Sequence, residues 1–294
     1  MSGREWFIAR YGAMGANLSG FETTPQAIRV NPLKTQASDL IDTLSSQGVE
    51  LEKIPYLDHG YRVRWSPFSL GASVEYLLGL YSLQESASQY PMQVLNPTSS
   101  DKVLDMASAP GGKTTQAAAY MQNKGIIVAL DISRDRLFAT ENNVERCGVI
   151  NTSIHHVDAL ELPDKPSFTK ILLDAPCSGN YVTDLGWFNK RSKEDIDTNS
   201  ELQRRLISKA LNLLETNGVL LYSTCSLEPE ENELNIQWML DSHDVELEKL
   251  DGVGSPALTE INDKSLDRRV SHCRRFWPDE TGTQGFFVAK AVKL

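Results

Sequence analysis

Four cysteines occur in this chain of 294 residues, and two of them stand where chemistry is done. Cys177 lies in Asp174-Ala175-Pro176-Cys177-Ser178-Gly179 and Cys225 in Ser223-Thr224-Cys225-Ser226, each directly after an apolar run that reads as a buried strand. A lone thiol in that position is by default a small buried hydrophobe. The neighbours argue otherwise: a carboxylate three residues before Cys177, a proline that fixes the turn aiming it, and a second thiol at the end of another strand. Upstream, Asp105-Met106-Ala107-Ser108-Ala109-Pro110-Gly111-Gly112-Lys113-Thr114 ends a third apolar run and leads into a helix starting near Lys113. Small residues there let the backbone approach a ligand, and a helix N-terminus supplies free amides and a partial positive charge. The turn is neither G-x-G-x-x-G nor G-x-x-x-x-G-K-[ST], which argues against a dinucleotide or a nucleoside triphosphate. A cofactor turn, a carboxylate beside a thiol and a second thiol are the parts needed to methylate a cytosine at carbon 5. That carbon is a poor nucleophile until a thiolate adds to carbon 6, and its proton must leave before the thiol is expelled.

The elements that must position these residues follow from the apolar pattern. Helical periodicity is expected over Ala37 to Ser46 and Ser73 to Ser82, with strand-like pieces around Arg29-Val30 and Tyr61-Arg62-Val63. From Asp101 onward, strands at 102–107, 126–131, 152–157, 170–174 and 219–224 alternate with helical segments, the pattern of a mostly parallel sheet. Gly285 to Lys290 reads as a closing strand. The organisation expected is a small α/β module over 1–97 and an α/β domain over 98–294. Ligands bind such sheets at the carboxyl ends of the strands, where Asp105, Asp131 and Asp174 fall, with Asp158 just beyond the third strand. An acid ending the second strand, Asp131, is suited to a ribose diol.

Composition bounds the remaining possibilities. With no run of about 18 apolar residues and no signal-like leader, membrane insertion and secretion are not expected, and the chain reads as cytoplasmic. Cys147, Cys177, Cys225 and Cys273 form no C-x-x-C pair, which argues against a zinc site and a disulfide framework. Cys147 and Cys273 read as buried hydrophobes, and His155 and His156 as structural or exposed. The net charge of −10 is awkward for a nucleic-acid partner. Between Ser226 and Asp263, however, eleven acids stand against the single Lys249, so the remainder is balanced. Two clusters mix cations with aromatics, as a single strand would want: Lys190, Arg191 and Lys193 with Trp187 and Phe188, and Lys264, Arg268, Arg269, Arg274 and Arg275 with Phe276 and Trp277. The competing reading of both is a solvated face with a few core aromatics.

Asp105 to Thr114, Asp174 to Gly179, and Thr224-Cys225-Ser226-Leu227-Glu228-Pro229-Glu230-Glu231-Asn232-Glu233 resemble motifs I, IV and VI of the NOP/NSUN (Sun, Nop2) family of RNA cytosine-5 methyltransferases. The resemblance covers most of residues 75–294, taking in Gly79 to Glu85 and the closing Gly285-Phe286-Phe287. It implies a Rossmann-like, S-adenosylmethionine-dependent methyltransferase sheet preceded by a small N-terminal α/β RNA-binding module. It also implies S-adenosyl-L-methionine as cofactor, with Ala107, Ser108, Ala109, Pro110, Gly111, Gly112 and Lys113 around its methionine part. Asp131 would meet the ribose, with Arg136 among the cofactor contacts; Asp158 would lie near the adenine, and Asp174 would close the site. By the same resemblance Cys225 is the nucleophile and Cys177 assists release, while Asp174 and Lys113 serve the base. No metal is implied.

Bacterial ribosomal members of that family append NusB-like or PUA-like domains for which this chain has no room, so it is similar to the compact archaeal members, whose substrates are tRNAs. The expected partner is therefore RNA, tRNA in particular, and the chain is expected to act as a monomer. Three alternatives stay open. DNA cytosine methyltransferases attack with the Pro-Cys cysteine, which would make Cys177 the nucleophile. The others are an RNA assembly factor that binds cofactor without catalysis, and a methyltransferase of rRNA, protein or a small molecule.

Overall fold

Leu40 and Leu44 stand one helical turn apart and are both buried, and the helix over 37–46 forms within the bounds its periodicity predicts. The structure is a computed structural model describing residues 3–16, 23–184 and 186–294. These group into two units, one of 25–162 with 168–170 and one of 1–24 with 163–167 and 171–294. Helix α1 (Arg4–Ala13) opens the chain and groups with the second.

The unit that begins at Pro25 contains an antiparallel sheet of β1 (Ala27–Val30), β2 (Glu50–Lys53), β3 (Gly60–Trp65) and β4 (Tyr81–Leu83), in the order β2-β3-β1-β4. Helix α2 (Ala37–Ser46) shares a core with it through Ile28, Val30, Leu40, Leu44, Val49, Leu70 and Tyr81. The helix expected over 73–82 is a correction: α3 covers only Val74–Leu77, and Tyr81 to Leu83 form β4. Gly79 stops the helix at φ +74°, where an added Cβ would lie 1.9 Å from the Arg146 carbonyl oxygen. The free edge of β1 then takes up the residues that follow, pairing Val30 with Tyr81. Helix α4 (Ser86–Leu95) is capped by the Glu85 carboxylate, which accepts from the amides of Ala87 and Ser88.

Beyond it, β5 (Lys102–Asp105), α5 (Gly112–Tyr120), β6 (Ile126–Asp131), α6 (Arg134–Arg146) and β7 (Thr152–His156) alternate as expected, and the three strands are parallel. In the other unit, β8 (Phe168–Asp174) leads through α7 (Trp187–Lys190) and α8 (Lys193–Leu213) to β9 (Leu214–Thr224), then α9 (Glu233–Ser242) and β10 (Val245–Leu247). The short strands β11 (Ser255–Pro256), β12 (Glu260–Ile261) and β13 (Lys264–Ser265) precede β14 (Arg274–Phe276), α10 (Pro278–Thr281) and β15 (Phe286–Lys293). The order there is β11-β14-β15-β9-β8, and β15 runs antiparallel to both β9 and β14. The sheet is thus more mixed than expected, because β14 and β15 are joined by a short return rather than a crossover helix. Asp105, Asp131, Asp174 and Thr224 each end their strand, so the candidate residues sit at carboxyl ends as expected. Among the described residues no helix is long and apolar enough to cross a membrane.

Candidate active site

In the unit that carries both thiols, the ends of β8 and β9 bring Cys177 Sγ to 3.1 Å from Cys225 Sγ. Both cysteines are free and partly exposed, and the separation is well beyond the ~2.05 Å of a disulfide. Hydrogen bonding to Cys225, then burial, then the charges of Cys225 and Glu231 hold the Cys177 thiol well above its ordinary value, against the Gly179 amide. Cys177 is therefore held as a thiol. The loops are anchored from several sides: Gln203 Nε2 donates to the Pro176 carbonyl at 2.9 Å, and Asn180 Nδ2 to the Cys225 carbonyl at 2.8 Å. Asp174, half-buried, accepts from Ser223 Oγ at 2.7 Å.

In the other unit the turn after β5 is equally fixed. Thr114 Oγ1 donates to Asp105 at 2.7 Å, the Ala109 amide to Asp131 Oδ2 at 3.2 Å, and the Ser133 amide to Asp131 Oδ1 at 2.9 Å. Arg136, exposed, donates to the Ala109 carbonyl at 2.8 Å and stands 3.7 Å from Asp131. Gly111 adopts φ +95° and caps α5, while Lys113 occupies the second residue of that helix. Asp158 stands apart from this network, its Oδ1 accepting from the Leu160 amide in a short 3₁₀ turn. The turn suits a polar ligand: Ser108 Oγ is buried with no hydrogen-bond partner among the described residues, and the first-turn amides of α5 have no helical carbonyl to bond. Ala107, Ser108, Ala109, Pro110 and Gly112 complete the turn, and the buried Ser108 and Ala109 contrast with the exposed Pro110.

Several polar residues that fix these loops escaped sequence reasoning. Arg29, on β1 and 3% exposed, donates to the Gly112 carbonyl at 2.7 Å and to Thr115 Oγ1 at 2.9 Å, and it also bonds Gln84. Burial lowers its guanidinium to about 10. Gln84 lay in a quoted motif, but an arginine in a short apolar strand carried no signal. Of the basic clusters, the aromatics Trp187, Phe276 and Trp277 are core residues, as the competing reading had it, while the buried Arg275 departs from both readings. Arg275 is fully buried against Glu233, with Nε 2.8 Å from Oε1. Lys190 pairs with Asp184, Arg191 donates to the Ser178 carbonyl at 2.8 Å, and Lys193 pairs with Asp197 and Glu230. Trp187 is buried with Phe7 and Tyr11 of α1. A buried charge must be paired, as Arg275 is by Glu233, whereas Lys190 and Lys193 make their ion pairs at the surface. Cys147 and Cys273 are buried, and His155 and His156 exposed, as read.

Residues 92–292 match the model of the 16S rRNA methyltransferase RsmB/F family, and residues 8–86 that of the N-terminal domain of 16S rRNA methyltransferase RsmF. The 25S rRNA (cytosine-C(5))-methyltransferase nop2 of Schizosaccharomyces pombe is 38% identical over 92% of this chain and 46% of its own length. The tRNA (cytosine(49)-C(5))-methyltransferase of Pyrococcus abyssi is 36% identical over 91% of this chain and 88% of its own. A methyltransferase homologue from Pyrococcus horikoshii has a TM-score of 0.88 at 39% identity, covering 99% of this chain and 95% of that one. NSun6 from Pyrococcus horikoshii with SFG, a cofactor analogue, has 0.86 at 28%, covering 98% and 97%. The fold is that of a Rossmann-like methyltransferase. The chain belongs to the RsmB/F family of RNA methyltransferases, as the three motifs led us to expect. It spans 34–46% of the length of four curated eukaryotic relatives.

Proposed function

We propose that this protein is an S-adenosylmethionine-dependent RNA cytosine-5 methyltransferase acting on tRNA. The observation that carries the chemistry is the pair of reduced thiols 3.1 Å apart, one at a Pro-Cys and one at a Thr-Cys strand end. Bound S-adenosylmethionine supplies an activated methyl group. Ala107 to Lys113 hold its methionine part, Asp131 binds the ribose diol with Arg136 steadying the turn, and Asp158 serves the adenine side. Cys225 adds to carbon 6 of the cytosine. Asp174 gives the ring nitrogen and amino group a fixed hydrogen-bond partner, which stabilises charge as it develops. Lys113, the second residue of α5, supplies a cation at the cofactor turn. Cys177, held as a thiol, does not compete for carbon 6. After methyl transfer the carbon-5 proton passes to water, the bond between carbon 6 and sulfur breaks, and the Cys177 S–H hydrogen-bonds the departing Cys225 thiolate.

The tRNA assignment is supported by the 36% identity, over 91% of this chain, to an archaeal enzyme that acts on cytosine 49 of tRNA. The test is transfer of labelled methyl groups from S-adenosylmethionine to separated tRNA, rRNA and protein pools, followed by bisulfite sequencing. Label in tRNA as 5-methylcytosine is the expected result. Label confined to rRNA refutes the substrate, and label confined to protein refutes the reaction class.

A further inference from the structure

Glu231 stands six residues after Cys225, and its side chain is fully buried. Both of its carboxylate oxygens lie 3.1 Å from the amide of Ser178, the residue directly after Cys177. The Asn199 side-chain amide donates to Oε1 at 3.2 Å. Ser178 Oγ and Ser226 Oγ are themselves 3.0 Å apart. The residue after Cys177 is thus bonded to a carboxylate carried on the loop that follows Cys225, and to the residue after Cys225. Glu231 is rigid in turn: its carbonyl accepts from the Tyr222 hydroxyl and from Asn235 Nδ2, and its amide donates to the Glu228 carbonyl at 3.2 Å. Its side-chain partners are all donors, which suits an anion. A buried carboxylate is costly to desolvate, and here it lies where two catalytic loops must be joined.

We propose that Glu231 is a positioning residue whose carboxylate clamps the Cys177 loop to the Cys225 loop and so holds the two sulfurs in contact. The proposal rests on the methyltransferase reading for its consequence, because the Cys177 thiol serves Cys225 only while the two touch. The negative charge of the same carboxylate also helps keep Cys177 protonated, alongside Cys225 and burial. Removing the clamp leaves Cys225 able to attack but slows its release.

The contact itself can be measured without RNA or cofactor. Diamide takes two electrons and two protons from a pair of thiols, becoming a hydrazine as the S–S bond forms, and peptide mass spectrometry reports the Cys177–Cys225 crosslink. Glu231→Ala should crosslink about tenfold more slowly than wild type, because disulfide formation demands close and specific geometry. Glu231→Gln, which keeps an oxygen for the Ser178 amide, should recover most of the rate. Mixed with tRNA and S-adenosylmethionine, Glu231→Ala should accumulate a denaturation-resistant RNA adduct, with kcat lowered and KM nearly unchanged. If Glu231→Ala does not fold, Glu231→Leu, which keeps the side-chain bulk but offers the Ser178 amide no acceptor, takes its place. A wild-type crosslinking rate in either folded variant overturns the clamp. So does slowing accompanied by alkylation of buried Cys273, which would mean general loosening. Failure of the wild-type chain to methylate any RNA would sink the methyltransferase reading alone, since the crosslinking rates stand without it.

Discussion

At the scale of single residues, the question the geometry sharpens is which thiol attacks. The Cys177 thiol, in contact with Cys225, is pushed up by that hydrogen bond and by burial, which suits it to release and leaves the attack to Cys225. Cys225→Ala should then give neither methylated RNA nor a covalent adduct. Cys177→Ala should still attack and transfer the methyl group but expel the product slowly, so that a shifted enzyme–RNA band persists on a denaturing gel. A trapped adduct from Cys225→Ala with none from Cys177→Ala would exchange the two roles. The motifs made both cysteines legible as candidates. Their contact was not legible, because 48 residues separate them and only the neighbouring ends of β8 and β9 join them.

At the scale of elements, the turn before α5 gives a paired test. A Cβ at Gly111 would face α6, 3.0 Å from Thr140 Cα, at a φ of +95°. Gly111→Ala should therefore cost about 1–3 kcal/mol of stability, from backbone strain and displacement of α6. It should also weaken S-adenosylmethionine binding by shifting the turn. Gly112→Ala, whose Cβ would meet only Gln84 at 3.8 Å, should leave stability unchanged or slightly raised. Denaturant melts with calorimetric titration of the cofactor check both, and equal losses from the two variants would discard the α6 contact as the cause. Elements whose signal is local, such as α2 and β6, were readable because apolar periodicity decides them. Tyr81 to Leu83 were not, since β4 exists only by pairing with β1. Arg29 and Arg275 misled for the same reason: their acceptors lie 83 and 42 residues away, and a cation in sequence carries no mark of the partner that buries it.

At the scale of the whole molecule, the acidic run that carries the net charge is partly interior. Glu228, Glu231 and Glu233 are all fully buried, each bonded to groups distant in sequence. Glu228 accepts from Tyr11 and lies 2.9 Å from Arg10, so it ties α1 to the loop after Cys225. Burial outweighs Arg10 and raises its carboxyl from 4.5 to about 7. Between those values the folded state holds the proton more tightly than the unfolded chain, so the Glu228 contribution to stability is present below about 4.5 and is lost as the pH rises toward 7. The full span is worth about 3 kcal/mol at ~1.4 kcal/mol per unit. His59 and His243, held below their ordinary value by burial, act in the opposite sense over part of the same range. The difference between wild type and Glu228→Gln removes them from the comparison. That difference should shift in favour of the variant by about 2–3 kcal/mol between about pH 4.5 and 8 in urea denaturation, with most of the change above pH 5. Glu230 remains to pair Arg10 in the variant, so the guanidinium is not left alone to reverse the sign. A difference independent of pH would mean that Glu228 stays ionised throughout and that Arg10, rather than burial, sets its proton affinity.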